Sequence, residues 1–435
     1  MSYDRRTLLK AMAGTSAAGM LAGCGGDATS TDTTVQTETT IPWQVEGCDT
    51  GLVEPESSSG QFTLLHGRQE GGTRLLQGTR TLYNQNDNYP SMNLQRGPND
   101  GYLNQLRTSI PAGEGPHIFQ WAHDIGGEFV QSEFLSDQSG NLRAEECMFT
   151  EAAWQATEYD GQRIGLPFAA ECPALIYNQD VLDEIGAEPP ESFDDWISIM
   201  DEYHDPENGK YGLSHPLNAY FSSWATQAYG ADIYNGQEDE LGITSDEAIQ
   251  GLNIILEDLK PYMPSDPSEQ AQGAVFEDGN SPFYVNGPWA IAGLLDQGLN
   301  IGTTRIPAPG EAESRPYSGI QMYFYSKKMN NGGDGARAAR EFTEWYCTNI
   351  ERILNLINNS SYIPAIAGLD RDLLPATVRG YAEQFETGYL MPQNPNMNAV
   401  WTPYETNMLD AFNSGNDPGP LMENAAEEIR NSWNS

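Results

Sequence analysis

The sequence is short of lysine, of histidine and of long apolar runs, and each shortage excludes something. Five of its 22 basic residues are lysine, and 62 acidic residues outnumber them to leave a net charge of −40. Such a chain repels a phosphate backbone, which excludes nucleic acid as a partner. The acids are spread along the whole chain and form no metal loop. A dispersed acidic surface keeps a protein hydrated where salt screens repulsion within a few ångströms, so the charge reads as a halophile's solubility device. Five histidines occur in 435 residues. There is no Gly-x-Ser-x-Gly elbow, no His-Glu-x-x-His and no phosphate-cradling glycine loop with lysine. A metal or triad enzyme is therefore disfavoured, and no cofactor or metal is expected. No apolar run reaches the roughly 20 residues of a membrane-spanning helix.

What is there begins at the N-terminus. Arg5-Arg6-Thr7-Leu8-Leu9-Lys10 is a twin-arginine pattern, and a small, weakly apolar stretch leads from Ala11 to the lipobox Leu21-Ala22-Gly23-Cys24. These are the marks of Tat export and of lipid attachment at Cys24. The mature chain is expected to start there, held at the outer face of the cell membrane. Residues 24–60, rich in Thr, Ser, Gly, Asp and Glu, cannot bury enough surface to offset ordering entropy and read as a flexible tether. About 375 residues remain, room for two domains. Export permits disulfides among Cys48, Cys147, Cys172 and Cys347, whose spacings match no zinc motif and leave three full pairings open. Asn358-Asn359-Ser360-Ser361 holds overlapping glycosylation sequons.

Along the body, Gln61–Leu65, His117–Trp121 and Leu175–Tyr177 read as strands. Ser192 with Asp195, and Thr244 with Glu247, sit at capping-box spacing before apolar runs. Ile249, Leu252, Ile255, Leu256 and Leu259 then fall on one helical face, and Ala338, Phe342, Trp345 and Tyr346 on another. Strands alternating with helices predict α/β layers with largely parallel sheets.

Polar–aromatic clusters stand at the ends of the expected strands: Trp121-Ala122-His123-Asp124, Ala170-Glu171-Cys172, Tyr220-Phe221, Asn286-Gly287-Pro288-Trp289 and Trp401-Thr402-Pro403-Tyr404. A sugar ring has two apolar C–H faces and a rim of hydroxyls. Flat aromatic rings cover the faces, and carboxylates accept hydrogen bonds from the rim. The 9 Trp and 21 Tyr supply such platforms. Taken singly, an indole is more often core, and a carboxylate can be a cap or a surface ion pair.

In order, the clusters resemble those of the maltose/maltodextrin-binding proteins, the receptors of sugar importers. Pro116 to Asp124 is similar to that family's Pro-Asp-Ile-Ile-Phe-Trp-Ala-His-Asp. Val285-Asn286-Gly287-Pro288-Trp289-Ala290 is similar to its Ile-Asn-Gly-Pro-Trp-Ala. Asp160 to Asp180 resembles its first crossing between lobes, and Gly388 to Trp401 its C-terminal binding segment. The resemblance runs from about Phe62 to about Ile429. It implies an α/β, two-lobed periplasmic-binding-protein fold (type II-like) with a ligand cleft and a multi-crossing hinge. One lobe would hold 61–170 plus 312–370, the other 171–311 plus 371–435. Asp124 and Glu171 would hold sugar hydroxyls, and Trp121, Tyr220, Trp289 and Trp401 would line or stack on rings, with Tyr404 beside them. Asn218-Ala219 stands where the family has an acid and a proline, Ile125 where it often has arginine, and His66-Gly67-Arg68-Gln69-Glu70 where it has an Asp-Lys pair. His66, Arg68 and Glu70 are candidate replacements there. The implied role is a monomeric, lipid-anchored receptor that passes an α-glucan to the permease of an ABC importer. The alternatives are the same role for another oligosaccharide or sugar derivative, a secreted glycoside hydrolase using Asp124 and Glu171, or a surface adhesin.

Overall fold

A computed structural model describes residues 48, 51–68, 70–98, 101–369 and 374–434. The leader, Cys24 and most of the expected tether lie outside the described residues, as does the side chain of Glu70. Among the described residues no helix is long and apolar enough to cross a membrane.

Among the described residues ten strands build two main sheets. They are β1 (Gln61–His66), β2 (Ser91–Arg96), β3 (Ile118–Ala122), β4 (Gly165–Glu171), β5 (Ala174–Asn178), β6 (Phe283–Asn286), β7 (Ile301–Thr304), β8 (Tyr317–Tyr325), β9 (Ile363–Pro364) and β10 (Tyr389–Leu390). The large sheet runs β9-β4-β8-β3-β1-β2, with β10 also on β8, and the small one runs β6-β5-β7. The expectation of largely parallel sheets holds only in part. The pairs β1–β2, β1–β3 and β8–β10 are parallel. Strand β8 is antiparallel to both β3 and β4, β9 is antiparallel to β4, and the small sheet is wholly antiparallel. The reason lies in the path of the chain. β8 enters the middle of the large sheet after a long excursion through the small one, so no local βαβ crossover sets its direction.

The helices pack as their patterns require. In α1 (Glu70–Gln85) Leu76 and Tyr83 are buried, and α2 (Phe193–Tyr203) has Ser192 Oγ accepting from Asp195 N at 3.1 Å. The second cap lies one residue later than expected. Ser245, not Thr244, accepts from Ala248 N, which starts α3 (Asp246–Asn253), and a π-helical turn over Ile254–Leu259 continues the same apolar face. Beyond α4 (Ile291–Asp296), α5 (Gly333–Thr348) buries Phe342 against Phe62 of β1, centroids 5.2 Å apart. α6 (Ile350–Ser360) follows on the same unit. α7 (Ala376–Phe385), α8 (Trp401–Ser414) and α9 (Pro418–Trp433) lie with the small-sheet unit.

Cys48 pairs with Cys147, and Cys172 and Cys347 are buried free thiols. The last part of the expected tether is not loose. Val53 N donates to Thr348 Oγ1 at 2.9 Å, and Arg337 holds Ser59 O, so this stretch packs on the large-sheet unit.

Candidate functional site

A cavity of about 410 Å3 lies where the two units face each other. Strand ends and turns deliver its walls. Trp121 is the last residue but one of β3, and Asp124 sits in the 3-10 turn His123–Ile125 directly after the strand. Glu171 is the last residue of β4, and Trp401 opens α8. Trp289 follows β6 through Gly287-Pro288. Its indole folds back so closely that a Cβ on Gly287 would fall 2.2 Å from the ring, which explains the glycine. Tyr220 rests on a turn in which Asn218 Oδ1 accepts from the N–H groups of Tyr220 and Phe221. Asn218 thus fixes the tyrosine through its side-chain oxygen.

Trp121 and Trp289 bridge the units, since each packs against the hydrophobic cluster of the other side. One rim is closed by α1 and α4. A Cβ on Gly71 would lie 2.6 Å from Ala292 Cβ, and Arg74 pairs with Asp296 beside it.

Seven of the expected residues line the cavity: Arg68, Trp121, Asp124, Glu171, Tyr220, Trp289 and Trp401. Two do not. Tyr404 is a core residue on the buried face of α8, its hydroxyl 2.6 Å from Thr226 Oγ1. It is one helical turn beyond Trp401 but inclined into the small-sheet core. His66 is buried behind the β1 turn, where its Nδ1 accepts from Arg68 N at 3.3 Å. Burial, with the charges of Arg68 and Arg96, pushes its imidazole down to about 4, so it is a neutral acceptor bracing the turn.

The lining also contains residues that sequence reasoning missed, including Gln120, Gln321, Ser360 and Tyr362. Gln120 stood inside the motif around Trp121, where alternation along the strand would have put it on one face with Ala122. Gln321 and Ser360 carried no signal. Ser360 and Ser361 are 2% and 1% exposed, so the hydroxyls of both sequons are turned inward.

The electrostatics follow from dryness. Burial pushes the Asp124 carboxyl up to about 7, and the charge of Glu128 adds to this. Burial likewise pushes Glu171 up to about 7, with Asp124's charge adding and a hydrogen bond from Gln321 opposing. Among the described residues eleven buried side-chain polar atoms lack a protein partner. Five of them belong to this cavity: Arg68 Nη1, Asp124 Oδ1, Glu171 Oε2, Tyr220 OH and Ser360 Oγ. An unmet buried polar atom costs about 1–3 kcal/mol. Their concentration in one apolar-walled space marks a site built for a polar guest.

The sequence profile of the bacterial extracellular solute-binding proteins matches residues 82–387. The chain belongs to that family. A maltotriose-binding protein of Pyrococcus abyssi is 32% identical to this solute-binding protein over 356 residues, 80% of this chain and 76% of that one. A galactooligosaccharide-binding protein of Bacillus subtilis is 24% identical, over 75% of this chain and 79% of that one. The solved structure of a Thermus thermophilus maltotriose-binding protein bound with maltotriose superposes with a TM-score of 0.77 at 19% identity, covering 86% of this chain and all of that one. The likeness shows the two-lobed periplasmic-binding-protein fold, with the large and small sheets as the cores of its lobes.

Proposed function

We propose that this solute-binding protein is the receptor of an ABC sugar importer. It holds a maltooligosaccharide-like α-glucan in the cavity and hands it to the permease. The observation that carries the reading is the set of five unpartnered polar atoms among three indoles. Hydroxyls can donate to Asp124 and Glu171 and accept from Arg68, while Trp121, Trp289 and Trp401 cover ring faces. The name of the Pyrococcus abyssi relative supports a glucan of this kind. The lobes are 61–170 plus 312–370 and 171–311 plus 371–435. A ligand that touches Asp124 and Arg68 on one and Tyr220 and Trp401 on the other stabilises their closure by differential contact. The twin arginines and Cys24 support export of the folded chain and anchoring by lipid at the outer membrane face, with the chain acting as a monomer.

The test is calorimetry of maltotriose and of a galactooligosaccharide in high salt, with scattering before and after addition. Binding of maltotriose with a more compact envelope is expected. No binding of either sugar, or steady release of reducing ends from maltodextrin, overturns the receptor reading.

A further inference from the structure

Four polar side chains form an unbroken donor–acceptor line across the cavity floor. Arg68 Nε donates to Gln120 Oε1 at 2.5 Å, Gln120 Nε2 to Gln321 Oε1 at 3.0 Å, and Gln321 Nε2 to Glu171 Oε1 at 2.8 Å. The line steps from Arg68, two residues past β1, to β3, β8 and β4, and these four strands are neighbours in the sheet. The register explains why it is continuous. Gln120 lies opposite Tyr323, and Glu171 opposite Gly319. Gln321 is therefore the diagonal neighbour of both Gln120 and Glu171 on one face, within reach of long side chains. A register shift at Gln321/Met322 leaves Phe168 of β4 without an opposite residue in β8, and the Arg68 guanidinium lies 5.0 Å from the centre of that ring.

The ends of the line set its polarity. A guanidinium only donates, and an ionised carboxylate only accepts. Both amides must therefore turn their oxygen towards Arg68 and their NH2 towards Glu171. Arg68 is buried, and among the described residues it has no carboxylate within ion-pair distance. Arg68 Nη1 and Glu171 Oε2 remain, one at each end, buried and unpartnered.

We propose that Gln120 and Gln321 are positioning residues for the ligand: they hold Arg68 and Glu171 apart and aimed into the cavity, giving it a fixed donor end and a fixed acceptor end. This rests on the sugar-binding reading above. Direct contact of the two charges would consume the atoms a ligand needs. Glutamine suits the task because one side chain accepts and donates at the same tip. The donor end suits ring or glycosidic oxygens, which only accept, and the acceptor end suits hydroxyls. The line also tunes Glu171, since the Gln321 donor favours the ionised carboxylate against burial. The other groups facing that carboxyl are Asp124, Tyr220, Tyr362 and the Cys172 thiol.

The experiment uses the full chain in high salt with Gln120→Met and Gln321→Met. Carbon-13 carboxyl titration of the ligand-free protein follows Glu171, identified by the signal lost in Glu171→Gln. Glu171 is expected to titrate at higher pH in both variants, although Gln120 does not touch it. Maltotriose affinity is expected to fall about tenfold in each, the loss of one charged hydrogen-bond contact. Should a methionine variant fail to fold, the asparagine at that position shortens the reach and carries the same expectations. A Glu171 titration unmoved by the Gln120 substitution overturns the relay, whatever the sugar result. A wild-type protein that binds no sugar, with both titrations shifted, overturns the sugar reading and leaves the relay standing.

Discussion

The Trp121 indole lies on the ring of Tyr102, centroids 5.3 Å apart and planes 17° apart, and the Tyr102 hydroxyl reaches the carbonyls of Leu65 and Gln120 at 3.0 Å each. Tyr102 thereby ties the ends of β1 and β3 together and backs the indole that faces the cavity. Replacing it with leucine removes a ring pair worth about 0.5–1.5 kcal/mol and frees the indole to tilt. Tyr102→Leu should weaken maltotriose binding several-fold while Tyr102→Phe, which keeps the ring, should not. Titration calorimetry on both variants decides it, and equal affinities would remove Tyr102 as the support.

Trp401 and Tyr404 sit one helical turn apart with different duties. Trp401→Ala should weaken binding by about 1–3 kcal/mol, because a large ring is lost from the cavity wall. Tyr404→Phe should leave affinity unchanged and lower stability by about 1 kcal/mol through the lost bond to Thr226. A thermal melt read beside calorimetry separates the two effects.

The carboxyls of Asp124 and Glu171 predict opposite pH slopes for stability and binding. Both are raised in the folded state, to about 7. A raised carboxyl adds stability that is fully present below its unfolded value and is lost as pH rises through the folded one. The ligand-free protein should thus lose stability between about pH 4 and 7, and the Asp124→Asn, Glu171→Gln double variant should show a flatter melting profile there. A sugar hydroxyl donating to either group favours the ionised form. Affinity should therefore rise with pH through about 7, with proton release on binding at about pH 6. Calorimetry in two buffers of unlike ionisation enthalpy measures that release, and none at all would refute the assignment of both groups.

The disulfide closes a long loop, since Cys48 and Cys147 are 99 residues apart. Reduction should lower stability by about 2–4 kcal/mol. It should leave Cys172 and Cys347 unreactive to thiol reagents in the native state, because both are buried. Melting with and without reductant, beside a thiol count, checks both parts.

Much of the site was legible because its residues sit in short motifs at strand ends. Trp121, Asp124, Glu171 and Trp289 each carry flanking residues that announce a turn or a strand terminus, and they reach the cavity together with Trp401, which opens a helix instead. Tyr404 was misjudged because its cluster reads as a strand end, whereas Trp401–Ser414 is a helix whose face at Tyr404 turns to the core. Gln321 was invisible because its meaning depends on partners 201 and 150 positions away. The cap at Ser245 was missed by one residue because Thr244 and Ser245 are both chemically able to serve.

By itself the sequence determined the acidic character, several of the strands and helices, and the aromatic and carboxylate groups that line the cavity. Each of those is encoded within a few consecutive residues, by periodicity, capping chemistry or composition. Only the tertiary structure decided the antiparallel course of β8, the Cys48–Cys147 pairing, the inward turn of Tyr404 and the line from Arg68 to Glu171. All of these depend on which distant strands become neighbours and in what register, and no local pattern carries that choice.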